Sequence, residues 1–149
     1  AYGGKAEYMK SVSPTGPIYQ AGTYCGNPIS VYGAIAELEL AFQPGVYERL
    51  ETLSNRLVNG LKEVGGMLVQ SVGSMFFIAF GPKQVRNYQD STQFDYETFA
   101  KFFHAMLDEG IYLPPSTTDA ACISAVHTEA EIDRVIETAD RVMKKLKLK

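Results

Sequence analysis

The most constraining feature of the sequence is a run of apolar residues at helical spacing between positions 46 and 64. The residues that recur every three or four positions are Val46, Leu50, Leu53, Leu57, Leu61 and Val64. Other faces carry the charged residues Glu48, Arg49, Glu51, Arg56, Lys62 and Glu63. This period is that of one face of an α-helix. It predicts a long amphipathic helix over residues 46–64, which Gly65 and Gly66 end.

The part of the chain after this helix predicts a small α+β lobe. Short strands are expected over residues 67–70, 74–80, 111–113 and 122–126, the first two as a hairpin. Residues 81–94 are polar without a sustained period, which predicts a long surface loop. Asp95 is expected to cap one helix, and Thr128 with Glu131 forms a capping box for the last. This order is typical of helices packed on one face of a small sheet.

Ahead of the long helix, a glycine-containing turn leads into a second helix. Asn27 is a favoured N-cap, and Pro28 suits the first helical position. Gly22, Thr23 and Gly26 precede it, so a turn, a hydroxyl and the free N–H groups of a helix start come together. Such a place is receptive to a phosphate or carboxylate. From spacing alone, the more ordinary interpretation is a well-capped helix whose glycines only shape the turn, since no Walker or Rossmann pattern is present.

Charge and hydropathy limit the partners of the chain. The 149 residues include 14 Lys and Arg against 17 Asp and Glu, for a formal net charge of -3, with both signs spread along the sequence. There is no basic stripe to neutralise a nucleic-acid backbone, and no apolar run approaches the ~20 residues of a membrane helix. We therefore expect a soluble, cytoplasmic protein without nucleic-acid or membrane partners.

Few residues suggest chemistry by their spacing. Cys25 and Cys122 belong to no metal-ligand or redox pattern, so buried free thiols and no metal site are expected. His104 and His127 lack the neighbours of a catalytic base or a metal ligand, and structural roles are expected for both. Asp119 lies in a predicted loop, where a carboxylate either faces a cleft or forms a turn. Composition and spacing name no reaction.

Several motifs resemble class III, fold-type I pyridoxal-phosphate enzymes. The first group is Ala1-Tyr2-Gly3-Gly4-Lys5, Tyr19-Gln20-Ala21-Gly22-Thr23, Gly26-Asn27-Pro28 and Pro44-Gly45-Val46-Tyr47-Glu48. A second group is similar to the aminomutase members of this family: Gly81-Pro82, Asn87-Tyr88, Tyr112-Leu113, Pro115-Ser116 and His127-Thr128. The match is collinear over essentially the whole chain and corresponds to the C-terminal part of such enzymes.

The resemblance implies a homodimeric enzyme whose cofactor alternates between pyridoxal 5′-phosphate and pyridoxamine 5′-phosphate. It would move an amino group within one small substrate to give 5-aminolevulinate for tetrapyrrole and haem synthesis. The Schiff-base lysine is expected upstream of the segment matching residues 1–5, so the chain holds no expected catalytic residue and is expected to be inactive alone. Residues 1–45 would be the trailing edge of the large α/β domain, residues 46–64 a connecting helix, and residues 65–149 the small α+β domain.

The resemblance also implies roles for three residues. In the family, the pair matching Gly22 and Thr23 reaches across the dimer interface to the cofactor phosphate of the neighbouring subunit. Asp119 stands where the family has a glutamate that faces the active site, and Thr117 and Thr118 before it and Cys122 after it depart from the usual aromatic pattern. Two alternatives stay open: another class III aminotransferase with a separate amino donor and acceptor, and a non-catalytic interaction module of the same fold.

Overall fold

The computed structural model describes residues 2–148, in two compact units that divide between Gln43 and Pro44. Ala1 and Lys149, where the first motif begins and the last predicted domain ends, lie outside the described residues. The elements in chain order are α1 (Ala6–Met9), α2 (Pro28–Ala41), α3 (Val46–Val64), β1 (Leu68–Val72), β2 (Met75–Ala79), α4 (Tyr88–Ser91), α5 (Tyr96–Asp108), β3 (Ala121–Cys122) and α6 (Glu129–Lys145).

The first unit is dominated by α2, which begins as the sequence predicts. The Asn27 side chain accepts hydrogen bonds from the backbone N–H of Ile29 at 3.0 Å and of Ser30 at 3.4 Å. No residue of α2 is buried, and large apolar side chains such as Ile29, Tyr32 and Leu40 are exposed along it. A helix of such composition normally lies in the interior of a protein. Within the described residues of the first unit, α2 therefore lacks the packing partner that its sequence favours.

The second unit has its own hydrophobic core, built around α3. This helix has the predicted bounds, and it packs against α6 and against the hairpin of β1 and β2. A side chain at Gly60 would overlap Ile136 of α6, so the two helices approach closely at that point. The fully buried large side chains of the core are Leu57, Leu61, Phe102, Met106, Ile132, Val142 and Met143. The predicted connecting helix is thus a central element of this unit.

The sheet has the strand order β1-β2-β3, with both pairs antiparallel. Val69 pairs with Ile78, and both are buried on the face that meets the helices. Gln70 pairs with Phe77, and because side chains alternate along a strand, this pair lies on the opposite face. The predicted hairpin is confirmed, and the face that carries Gln70 and Phe77 points away from the helices.

Three predictions about the second unit are corrected. Residues 111–113 form no strand, and the two prolines that follow have no N–H for a ladder. The strand expected over 122–126 is only Ala121–Cys122, because the backbone N–H of Ser124 donates to His127 Nδ1 at 3.0 Å and the chain turns there. The loop expected over 81–94 contains α4, and a hydrogen bond from the Asp95 N–H to the Phe80 carbonyl joins the residues that flank it.

Arg56 of α3 forms ion pairs with two carboxylates of α6 at the surface. The Arg56 guanidinium donates to both carboxylate oxygens of Asp133, at 2.7 and 2.8 Å, and lies 3.2 Å from Glu129. These hydrogen bonds hold the pKa of Asp133 below its ordinary value of 3.8. Stabilisation from a lowered carboxyl pKa is present above the unfolded-state value and is lost as the pH falls through the folded-state value.

We expect Asp133→Asn to lower the thermal unfolding midpoint at pH 5–7 and to have progressively less effect below the ordinary pKa of 3.8. Protonation removes the same charge from the wild-type chain, so the two proteins converge in acid. Asp108→Asn, at an exposed site on α5, is the control for charge alone. A difference between wild type and Asp133→Asn that persists unchanged into acid would contradict this account.

Candidate functional site

The turn before α2 is held by its own backbone. The N–H of Cys25 donates to the Gly22 carbonyl at 2.9 Å, and the N–H of Asn27 donates to the Tyr24 carbonyl at 3.2 Å. Gly26 has a φ of 73°, a conformation that favours glycine. A Cβ at Gly22 would lie 2.7 Å from the Cys25 sulfur, so the turn in this form accepts only glycine there without a side-chain shift. The sequence thus builds a compact double turn directly ahead of the Asn27 cap.

This turn presents unused hydrogen-bond donors to solvent. Residues 21–26 are all exposed. Within the part of the chain that the structure describes, neither the hydroxyl nor the N–H of Thr23 has a partner, and the N–H of Gly22 has none either. These two N–H groups and the hydroxyl are suited to an oxyanion such as a phosphate, and they lie ahead of α2, whose Ile29 and Ser30 N–H groups already donate to the Asn27 side chain. The chemistry of the turn therefore fits a phosphate-bearing group.

Asp119 lies in the second unit, on an exposed turn after Leu113. Its N–H donates to the Ser116 carbonyl at 3.4 Å, and the residue borders a small cavity of about 10 Å³ with Phe99 and Pro114. No hydrogen bond or ion pair involves its carboxylate among residues 2–148. The carboxylate is available to an approaching polar group.

The remaining candidate residues have other surroundings. His127 Nδ1 accepts from the N–H of Ser124 and lies 3.0 Å from its hydroxyl, which shapes the turn before α6. His104 is exposed and packs edge-on to Phe103. Cys25 and Cys122 are free but exposed, so the prediction of buried thiols is wrong, since a missing motif carries no information about burial.

Residues 2–148 lack two features that would indicate a class of protein. No group of three or more His, Cys, Asp or Glu side chains is arranged to hold a metal ion. Among the described helices, none combines the length and apolar character that crossing a bilayer requires.

The comparisons with known proteins agree with the resemblance found in the sequence. No protein-family model matches the chain. The glutamate-1-semialdehyde 2,1-aminomutase of Desulfitobacterium hafniense strain Y51 is 46% identical over 98% of this chain. That of Desulfatibacillum aliphaticivorans is 40% identical over 98% of the chain. The resemblance to these aminomutases is confirmed. The chain spans 35% and 36% of the length of these two relatives.

Solved structures show the same fold. A β-phenylalanine aminotransferase from Variovorax paradoxus superimposes with a TM-score of 0.77, at 28% identity, over 96% of this chain and 34% of its own. An omega-transaminase from Sphaerobacter thermophilus gives 0.76, at 24% identity, over 95% and 34%. The chain is thus an α+β piece with the fold of about one third of a fold-type I aminotransferase, as the aminomutase resemblance predicts.

Sequence reasoning did not single out one further group of residues. Arg86, Thr117 and Thr118 line an open cavity of about 580 Å³ in the second unit. The sequence signals that fall on its lining are the Asn87-Tyr88 motif and the departure of Thr117 and Thr118 from the aromatic pattern of the aminomutases. Nothing in the local sequence indicates that residues 85–91 would lie beside these threonines.

Proposed function

We propose that this chain is part of a pyridoxal-phosphate-dependent glutamate-1-semialdehyde 2,1-aminomutase. Such an isomerase converts glutamate-1-semialdehyde to 5-aminolevulinate for tetrapyrrole and haem synthesis. The observation that carries the proposal is 46% identity to an aminomutase across 98% of this chain. We place the complete enzyme in the cytoplasm, as a homodimer.

In this proposal, Gly22 and Thr23 hold the cofactor phosphate of the neighbouring subunit. Their N–H groups and the Thr23 hydroxyl are donors without partners among residues 2–148, and they flank the capped start of α2. A phosphate dianion accepts several short, charge-assisted hydrogen bonds from such groups. When bound, pyridoxal phosphate supplies an electron sink, and the protein supplies position and electrostatics. The Schiff-base lysine is expected outside this chain, upstream in the complete enzyme.

Asp119 is proposed to face the substrate. Its exposed carboxylate accepts a hydrogen bond from a polar group of the substrate and helps to orient it. The side chain is one methylene shorter than the glutamate of the family, so its reach is shorter. Orientation of the substrate, and not binding of the cofactor, is the step that this residue supports.

The test of the function is an assay of the complete enzyme with glutamate-1-semialdehyde as the only substrate. We expect 5-aminolevulinate to form without an added amino donor or acceptor, because an aminomutase moves the group within one molecule. Formation of product only after adding a separate amino acid or keto acid would instead support an ordinary class III aminotransferase. A folded complete protein without either activity would support an interaction module.

We expect Thr23→Val to weaken the affinity of the complete enzyme for pyridoxal phosphate by about tenfold, the scale of one hydrogen bond to a charged group. The substitution keeps the shape of the side chain and removes its hydroxyl. Thr52→Val, on the exposed face of α3, is the matched control and should leave the affinity unchanged. Equal affinities in wild type and Thr23→Val, measured by cofactor fluorescence, would remove Thr23 from the phosphate site.

We expect Asp119→Asn to lower kcat/KM for glutamate-1-semialdehyde by about tenfold, through loss of a charge-assisted hydrogen bond, with cofactor affinity preserved. Asp119→Glu, which restores the longer family side chain, should retain activity. Asp108→Asn is the control for loss of an exposed carboxylate. If Asp119→Asn has full activity, the residue is only a turn former.

A further inference from the structure

The largest of the cavities described above lies on the face of the sheet that carries Phe77. Its volume of about 580 Å³ is that of a typical small-molecule site. One wall is the segment of residues 85–91, and the other is the segment of residues 117–120. Phe77 and Phe94 form an apolar floor, with ring centroids 6.3 Å apart.

The first wall is fixed by the sheet and by its own caps. The Gln70 side chain accepts from the Val85 N–H at 2.7 Å and donates to the Val85 carbonyl at 3.1 Å. Asn87 caps α4 by accepting from the Asp90 N–H at 3.0 Å. These contacts hold Arg86 at the edge of the cavity without any contribution from its own side chain. The wall is therefore formed before any ligand arrives.

The second wall carries a buried hydroxyl with no partner. Thr117 lines the cavity and is only 2% exposed, and its Oγ1 makes no hydrogen bond within residues 2–148. The Ser91 and Thr118 hydroxyls differ, since Ser91 donates to the Tyr88 carbonyl at 2.7 Å and Thr118 lies 2.7 Å from the Ser116 hydroxyl. Buried polar groups are normally paired, so the Thr117 hydroxyl is suited to a polar atom of a ligand.

Arg86 makes the cavity favour a negatively charged ligand. It is the only charged residue among those that line it in the described chain. Its Nε lies 3.6 Å from Asp90, and its terminal nitrogens make no hydrogen bond among residues 2–148. A guanidinium with unused N–H groups is well matched to a carboxylate.

We propose that this cavity binds a small organic carboxylate with an apolar body. Arg86 meets the carboxylate, Phe77 and Phe94 contact the apolar part, and Thr117 pairs with a ligand oxygen. The inference goes beyond the proposed function, because Asp119, the residue proposed to face the substrate, does not line this cavity, although its neighbours Thr118 and Ala120 do. If the cavity binds no carboxylate, the aminomutase proposal still stands. If the complete enzyme has no aminomutase activity, the carboxylate site still stands.

The experiment is an NMR titration of the complete enzyme with pentanoate, and with pentanamide as the uncharged probe of the same size. We expect saturable shifts confined to residues 77, 85–94 and 117–120, with pentanoate bound about fivefold more tightly than pentanamide, the scale of a partly exposed charge pair. Shifts spread over the surface, or equal binding of the two probes, would overturn the proposal.

Three variants test the assigned roles. Arg86→Gln should weaken pentanoate binding about fivefold and leave pentanamide binding unchanged. Lys83→Gln removes the same charge from the same loop, at a residue that does not line this cavity, and should leave both unchanged. Thr117→Val keeps the buried shape, so a folded spectrum with weaker binding of both probes is expected. Equal effects of Arg86→Gln and Lys83→Gln, or full binding by folded Thr117→Val, would contradict the assignment.

Discussion

The close packing of α3 against α6 is the contact on which the second unit depends. Gly60 lets Ile136 lie directly against the α3 backbone, and Leu57 and Leu61 are buried beside it. A side chain at position 60 would separate the two helices or force Ile136 from its place. Since β1 and β2 also pack on α3, such a change would reach the sheet as well. The helix α3, which lies within the second unit, is thus the element that organises this unit.

The β1–β2 hairpin positions the loops because its side chains alternate between the two faces of the sheet. Val69 and Ile78 face the helices, so their neighbours Gln70 and Phe77 face the other way. Gln70 then fixes the Val85 backbone, and Phe77 supports Phe94. A one-residue shift in register would exchange these faces, removing both the core contacts and the cavity floor. The cavity therefore depends on the same register as the core.

The sequence predicted those elements whose determinants are local. The period over residues 46–64, the Asn27 cap and the Thr128–Glu131 capping box each act within a few residues, and all three are confirmed. The strand over 111–113 was wrong because a strand also needs a neighbour to pair with. The cavity brings Arg86 and Thr117 together across 31 positions through the fold, which no local pattern encodes.

The Gly22–Thr23 turn has too few hydrogen-bond donors for the first unit to bind a phosphate by itself. Two N–H groups and one hydroxyl satisfy only part of a phosphate dianion, whose oxygens accept more bonds than these and whose charge calls for a cation. The lysines of the first unit are Lys5 and Lys10, and both precede the Gly22–Thr23 turn in the sequence. A phosphate held here needs further donors from elsewhere in the complete protein. Such a partial set of donors is what a site shared between subunits requires of each contributor, and this is why the role proposed for Thr23 concerns the assembled enzyme.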